Sequence, residues 1–314
     1  MAIRNDPSAL RWLIGHELRS ARVLARRTQT EAAKLLGCTG VKINYMETGR
    51  NQQQPEEITA LLGFYEADAD VAERLTSLAA RADQGTWWAS FADALPGWFR
   101  TFVGLEGLAR GAFSYQTMAL DGQLQTREYA AALLVDSVRI SRAQAGQVVR
   151  GRMARQRLDD EANPLRYHAV VEESVLDRTV GGPEVMVPQL HRLLALMDRD
   201  NVTLQVMPTA VAVHDGLEGP FKLLDFAEAR SIGYIEYRDG AIYVQDLDSI
   251  EVYNLVAERL CERALSDTDS ADALPAPLAA RCGGSRGVAA GHHRPPRGAA
   301  RHRQPPPPPG RGGG

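Results

Sequence analysis

The chain has 314 residues, of which 44% are hydrophobic, and carries a formal net charge of -3. This length suffices for a buried core of ordinary size and suggests roughly two domains. The lack of an apolar run of about 18 residues and of a secretory signal at the N-terminus predicts a cytoplasmic protein, neither exported nor spanning a membrane. Cys38, Cys261 and Cys282 lie far apart without a CxxC pair, so we expect no metal site and no disulfide framework.

The charge is distributed unevenly along the chain. Residues 1–50 carry nine basic and four acidic side chains, and residues 275–314 carry seven arginines and no acid. Residues 51–274 consequently hold a net charge of -15. A basic N-terminal segment joined to an acidic body indicates that a polyanion contacts the N-terminal segment only.

Apolar side chains three and four residues apart predict a first helix from Leu10 to Ala25. Two shorter helices are expected before Arg50. Two more follow in "PEEITALLGFYEAD", where Pro55 and two acids indicate a helix start, and in "DVAERLTSLAARA". We therefore predict an all-α N-terminal domain, a five-helix bundle over residues 1–81.

The second domain, residues 85–265, is predicted to be α+β. Helical segments continue through "GTWWASFADALPGWFRTFVGLEGLA", "TREYAAALL" and "SRAQAGQVVRGRMARQRLDDEA". Short β-branched or aromatic runs then predict strands in "LRYHAVVEES", "NVTLQVMP", "FKLLDF", "IGYIEY" and "AIYV". One helix is expected between the first two strands, and "DLDSIEVYNLVAERLCERAL" closes the ordered part. The strands are expected to be at least partly antiparallel.

The C-terminal residues 275–314 consist mainly of Pro, Gly, Ala and Arg and include five consecutive prolines at 305–309. Such a segment cannot bury enough apolar surface to offset the entropy of ordering, so we predict a disordered tail. Two interpretations of this tail stay open, a basic arm for DNA phosphates and a segment without a function.

Residues 28–50, "TQTEAAKLLGCTGVKINYMETGR", have the spacing of a helix-turn-helix unit. Ala33 is small where two helices cross, and Gly37 can adopt the left-handed conformation that ends a helix. Thr39 can cap the next helix, and two apolar residues of that helix are expected to face the core, Ile43 and Met46. Five features in one register favour a DNA-reading unit over the alternative, an αα-hairpin that binds nothing.

Through "LRSAR", "TQTEAAKLLG" and "INYMETGR" the chain resembles the Xre-type, or lambda-repressor-like, helix-turn-helix regulators. The resemblance implies a recognition helix from about Thr39 to Thr48 that enters the major groove. It also implies that Gln29 contacts a phosphate and that Arg22 pairs with Glu47 beneath the helix. An ion pair between packed helices orients them more than it stabilises them.

The candidate DNA-binding side chains depart from the family pattern at one position. The second recognition position, often a Gln that bonds adenine, is Gly40 here, so that contact is absent. Val41 can contact a thymine methyl, and Lys42 can reach guanine or a phosphate. We expect modest base readout supplemented by DNA shape, with backbone-only binding as the alternative. The full set comprises Gln29, Thr39, Gly40, Val41, Lys42, Asn44, Tyr45 and Arg50, with Arg26 and Arg27 at phosphates.

Segments of the second domain such as "GQLQTREYAAALL", "RMARQRL" and "NVTLQVMPTAVAVHDGLEGPFKLLDF" carry a further resemblance. They resemble the C-terminal domain of a large group of actinobacterial Xre-type regulators. That domain is described as antitoxin-like, and these regulators are often encoded beside a small partner protein. The resemblance implies a transcriptional regulator but names no effector.

Four aromatic residues are candidates for contact with a partner or ligand: Trp87, Trp88, Trp98 and Phe99. Packing in the core is the alternative for these side chains. His214 and Asp215 have the sequence of a metal-binding pair, but the glycines and proline that follow predict a loop into a strand. No credible set of catalytic residues is present, so we expect neither enzymatic activity nor a cofactor.

The sequence therefore predicts a DNA-binding transcriptional regulator whose α+β domain senses a partner protein or a small ligand. We expect a homodimer on a two-fold double-stranded DNA operator, because one short helix makes few base contacts. The alternative is an antitoxin-like interaction protein that neutralises a small partner, encoded by an adjacent gene, and regulates its own operon.

Overall fold

The computed structural model describes residues 6–80, 86–135, 137–138 and 140–274. The predicted tail at 275–314 lies outside these residues. Within the described part of the chain, no helix combines the length and the apolar character that crossing a membrane requires.

The N-terminal helical region consists of five α-helices, which confirms the predicted all-α bundle. α1 begins three residues earlier than predicted, because the Asp6 carboxylate accepts hydrogen bonds from the N–H groups of Ser8 and Ala9, and Pro7 occupies the first turn. All five helices contribute apolar side chains to one core. Their bounds are α1 Pro7–Leu24, α2 Gln29–Leu35, α3 Gly40–Glu47, α4 Pro55–Phe64 and α5 Ala69–Ala80.

The C-terminal α/β domain contains a mixed six-stranded sheet, which confirms the predicted combination of helices with partly antiparallel strands. The strands are β1 Gly111–Gln116, β2 Arg166–Glu172, β3 Val202–Met207, β4 Phe221–Asp225, β5 Ile232–Tyr237 and β6 Gly240–Val244. Their order across the sheet is β3-β2-β1-β4-β5-β6. β1 and β3 each pair in parallel with β2, and the other neighbours, β1 with β4, β4 with β5 and β5 with β6, are antiparallel.

The central strand β1 was not predicted from the sequence. Its residues, GAFSYQ, include three small side chains, and five of the six are buried. Because a central strand is covered on both faces, it lacks the alternation of apolar and polar residues that marks a half-buried strand. β1 joins the parallel and antiparallel halves of the sheet.

Seven α-helices of the described chain surround the sheet. One face packs against α6 and α10, and the opposite face packs against α11. Short 3-10 helices precede α6, at Ala89–Ala94, and β4, at Asp215–Glu218. The α-helices are α6 Gly97–Leu108, α7 Arg127–Ala132, α8 Arg142–Arg155, α9 Glu173–Asp177, α10 Pro183–Met197, α11 Leu247–Arg263 and α12 Asp267–Ala273.

α12 follows the last helix that the sequence predicted. The Ser270 hydroxyl accepts a hydrogen bond of 2.9 Å from the N–H of Val206 on the edge strand β3. Leu274, directly after α12, is buried. The folded part of the domain therefore continues beyond Leu265, where the apolar periodicity of the sequence ends.

α1 contributes to both parts of the molecule. One side of the helix places Leu10, Ile14 and Leu18 in the core of the helical bundle. Another side places Ala9 and Leu13 in the core that α6 and the sheet share. α1 and α6 approach closely, since a Cβ atom at Gly104 of α6 would lie 2.3 Å from the carboxylate of Asp6, which precedes α1.

Aromatic and polar contacts extend this junction toward the far edge of the sheet. The ring of Trp12 on α1 lies 5.2 Å from that of Tyr243 on β6. The buried carboxylate of Glu17 accepts a hydrogen bond of 3.0 Å from the N–H of Arg230. α1 is thus held by the α/β domain along most of its length.

His16, on α1 at this junction, is expected to make the stability of the fold depend on pH. Burial, followed by the charges of Arg230 and Arg19, lowers its pKa from 6.5 to about 4. Between these values the unfolded chain binds a proton that the folded chain excludes, so the free energy of unfolding falls as the pH decreases. The expected loss by pH 4 is about 3 kcal/mol.

Urea denaturation across this pH range checks the assignment. His16→Gln should flatten the decline, because it removes the titrating group. His191→Gln, on the exposed side of α10, is the control and should keep the decline of the unaltered protein. Equal slopes in all three proteins would assign the effect to other groups.

Candidate nucleic-acid interface

The segment with the predicted motif forms two helices joined by a turn. Thr28 and Glu31 exchange hydrogen bonds at the start of α2, which satisfies N–H groups of the first turn. Gly37 follows the end of α2 with a φ of 61°, a left-handed conformation that favours glycine. The Thr39 hydroxyl then accepts the N–H of Lys42 at 3.3 Å and starts α3. Gly37 and Thr39 therefore occupy the conformations that the sequence predicted.

α3 has a buried side and a solvent-facing side. Ile43 and Met46 are fully buried, whereas Val41 is 60% exposed. At Gly40 an added Cβ atom would meet nothing within 4 Å, so this position also opens outward. The solvent-facing side carries five residues that were predicted to contact DNA: Thr39, Gly40, Val41, Asn44 and Tyr45.

Arginines flank the two helices. The guanidinium of Arg50, just beyond α3, lies 5.7 Å from the centre of the Tyr45 ring. Arg26 and Arg27 directly precede α2, and the Arg27 guanidinium lies 4.6 Å from the Phe64 ring. These cations carry positive charge at the ends of both helices, as phosphate contacts require.

Lys42 is paired within the protein. Its ammonium group donates to the carboxylate of Glu57 on α4, and this hydrogen bond raises the pKa of Lys42. The sequence predicted that Lys42 reaches a guanine or a phosphate. A half-exposed ion pair of this kind contributes only about 0–1 kcal/mol, so separating the two side chains costs little free energy.

Arg22 and Glu47 form the pair that the family resemblance implied. Arg22 donates from Nε and Nη2 to the two carboxylate oxygens of Glu47, at 2.5 and 2.9 Å. A third donor is the amide nitrogen of Gln29, 2.9 Å from Glu47 Oε2. Gln29, expected at a phosphate, thus also joins the start of α2 to the end of α3. The buried carboxylate fixes three helices relative to one another.

Two residues that sequence reasoning missed position α3 from below. Gly15 of α1 lies so close to α3 that an added Cβ would stand 2.4 Å from the carbonyl oxygen of Met46. The buried amide of Gln53 donates to the same carbonyl, at 2.6 Å, and to that of Arg11, at 2.9 Å. The signal for Gly15 was a glycine in the interior of a predicted helix, where a glycine without a capping role indicates a packing reason.

The four aromatic candidates of the second domain do not form one cluster. The indole N–H of Trp88 donates to the Asp6 carboxylate at the start of α1. Trp98 and Phe99 line a cavity of about 380 Å³ between α6 and α8. Trp87 is half-buried. One part of the predicted set therefore contacts the helical region, and another part borders a cavity.

The loop with His214 and Asp215 has the structure of a turn. The imidazole Nδ1 of His214 accepts the N–H of Gly216 at 3.2 Å, and Asp215 pairs with Arg259 of α11 at 3.0 Å. Over the residues that the structure describes, no three His, Cys, Asp or Glu side chains are grouped as a metal site would require. The contacts of the pair are those of a loop that leads into β4.

The geometry of α2 and α3 defines the class of protein. Residues 13–75 match a family model described as a helix-turn-helix domain, and the chain is a helix-turn-helix DNA-binding regulator. Residues 99–275, more than half of the chain, match the family described as "Domain of unknown function (DUF5753)". The chain belongs to this family. No curated protein and no solved structure matched the chain.

Proposed function

We propose that the protein is a transcriptional regulator of the Xre type that reads an operator through the solvent-facing side of α3. The observation that carries the proposal is the exposure of Val41, Asn44 and Tyr45 on a helix whose other side is locked by the Arg22–Glu47 pair. A helix held this rigidly can present base-contacting groups in one orientation, which is the requirement for readout in the major groove.

We propose further that the regulator acts as a homodimer on a two-fold operator. The exposed part of α3 spans little more than two helical turns, which limits each subunit to a few base contacts. Two-fold symmetry doubles these contacts, and half-sites about 34 Å apart would place both recognition helices on one face of the DNA. Sedimentation of the full chain, free and with operator, tests this part, and a monomer in both states contradicts it.

The C-terminal α/β domain is proposed to sense a partner protein or a small ligand. In support, the domain shares its core with α1, the helix against which α3 packs. A ligand that favours one placement of α1 therefore changes the affinity for DNA, provided that its affinity differs between the placements. The antitoxin-like alternative rests on the resemblance of the C-terminal segments, and a short adjacent open reading frame would favour it.

Base readout is tested by selecting bound sequences from a random double-stranded DNA library with the full chain. Asn44→Ala should relax the preference at particular base pairs, by about 1–3 kcal/mol where the amide makes two hydrogen bonds. Arg26→Asn should weaken binding to all sequences alike and reduce the slope of the logarithm of the binding constant against the logarithm of the salt concentration by about 0.9. Asparagine suits this control because Arg26 has a φ of 53°. Identical preferences in the unaltered protein and Asn44→Ala would favour backbone-only binding.

A further inference from the structure

A second cavity of the α/β domain has a volume of about 560 Å³ and is bordered by α6, α8, the segment after β1, and strands β4 and β5. It shares Phe99, Arg152, Arg155 and Glu236 with the cavity that Trp98 lines. We call it the basic cavity, because four basic side chains and only two acidic ones line it: Arg152, Arg155, Lys222 and Arg238 against Asp121 and Glu236. Its volume suits an organic molecule and is much larger than a simple ion needs.

Two of the basic groups have carboxylate partners inside the protein. Lys222 on β4 donates to the Asp121 carboxylate, and both side chains are buried. Lys222 holds the pKa of Asp121 well below its usual value although burial acts in the opposite direction. Arg155 pairs at 2.9 Å with Glu106, which is buried on α6. These pairs neutralise part of the positive charge and fix the walls of the cavity.

Arg152 differs from Lys222 and Arg155 in the partners of its side chain. Its Nη1 donates to the amide oxygen of Gln125 at 2.9 Å, but within the described residues no carboxylate lies at ion-pair distance from its guanidinium. Burial, followed by the charge of Arg155 one turn further along α8, lowers the pKa of Arg152. The carboxylates of Asp121 and Glu236 act in the opposite direction. Neither is paired directly with the Arg152 guanidinium, so this group can bind an anion in the cavity.

Part of the remaining wall of the basic cavity is apolar and aromatic, and Gln116 and Gln125 add polar groups. The Arg155 guanidinium lies 4.9 Å from the Phe99 ring, and the Lys222 ammonium lies 5.0 Å from the Phe102 ring. Met118 and Tyr237, at the rim, are largely exposed. A molecule that fits these walls has an apolar, flat part in addition to its negative charge.

We infer that the basic cavity binds a small organic anion, a carboxylate or phosphate attached to a flat apolar group, with Arg152 as its principal ionic partner. The planar guanidinium can donate two parallel hydrogen bonds to either group. The inference deepens the ligand-sensing part of the proposed function and depends on it only for the regulatory consequence. The binding test below contains no DNA, so its outcome is independent of operator recognition.

Two fluorescent probes of similar shape separate charge from apolar contact. 8-Anilinonaphthalene-1-sulfonate carries an anionic group that stands in for the carboxylate or phosphate, and N-phenyl-1-naphthylamine lacks it. Arg152→Gln in the full chain should lower the affinity for the anionic probe about 10- to 100-fold and leave the affinity for the neutral probe unchanged. Arg152→Lys keeps the charge but not the paired donors. Its affinity for the anionic probe should lie between those of the unaltered protein and Arg152→Gln.

The matched control is Arg150→Gln, on the exposed side of the same helix, and it should bind both probes like the unaltered protein. Circular dichroism and thermal unfolding confirm that each variant is folded. Equal affinity of the anionic probe for the unaltered protein and Arg152→Gln would overturn the inference. An equal loss of affinity for both probes in Arg152→Gln would overturn it as well.

Competition then distinguishes the two sources of charge. Displacement of the anionic probe by benzoate supports a carboxylate ligand, and displacement by phenyl phosphate supports a phosphate ligand. Failure of both competitors to displace the probe at millimolar concentration overturns the inference.

Discussion

Gly15→Ala is expected to separate α1 from α3 and to destabilise the helical region by about 3 kcal/mol or more. The added methyl group would stand 2.4 Å from the Met46 carbonyl oxygen and 2.8 Å from that of Glu47. Both atoms belong to the backbone of α3, so a rotamer change cannot relieve the overlap. DNA affinity should fall for all sequences, because the displaced helix carries the candidate base contacts.

The control for Gly15→Ala is the same substitution at Gly63. That glycine lies on the exposed side of α4, where a Cβ atom meets nothing within 4 Å. Alanine there should stabilise the protein by about 0.5–1 kcal/mol, because it lowers the entropy of the unfolded chain. Urea denaturation of the two variants should thus give changes of opposite sign, and a neutral Gly15→Ala would contradict the close packing of α1 and α3.

Arg157→Met is expected to destabilise the α/β domain by about 3–5 kcal/mol. The Arg157 side chain is 1% exposed, and its Nη1 donates to the carbonyl oxygens of Glu106, Gly107 and Ala109 at the end of α6. Nε and Nη2 donate to the carbonyl oxygen of Asn163. Methionine fills a similar volume but leaves these buried carbonyl groups without their donor.

Chemical denaturation with Arg150→Met as the control isolates this effect. Arg150 is exposed on α8, so its replacement removes a charge without disturbing buried carbonyl groups. We expect a change within about 0.5 kcal/mol for the control. Similar unfolding midpoints for Arg157→Met and the unaltered protein would show that the carbonyl groups find other donors.

The helix-turn-helix could be predicted because its signals are local. The left-handed turn at Gly37, the cap at Thr39 and the buried Ile43 and Met46 each follow from side-chain size and spacing within twenty residues. The Glu57 partner of Lys42 and the approach of Gly15 depend on how separate helices pack. Helical periodicity contains no information about such distances between helices.

The α/β domain was harder to predict for the same physical reason. β1 pairs with residues from Arg166 onward on one side and with Phe221–Asp225 on the other, and both partner strands follow it at a long distance in the chain. The basic cavity brings together Asp121 and Lys222, which are 101 residues apart. Neither charge stands out in the sequence, because isolated acidic and basic residues ordinarily lie on a solvated surface.

The double use of α1 has a consequence for exchanging modules between regulators. A chimera joined after Ala80 would give a foreign helical bundle to this α/β domain, but the side of α1 that carries Ala9 and Leu13 would be missing from the core of that domain. Conversely, the helical bundle alone would present these residues and Trp12 to water. A working graft therefore has to transplant the α6-facing residues of α1 together with the α/β domain, which makes the first helix part of both modules.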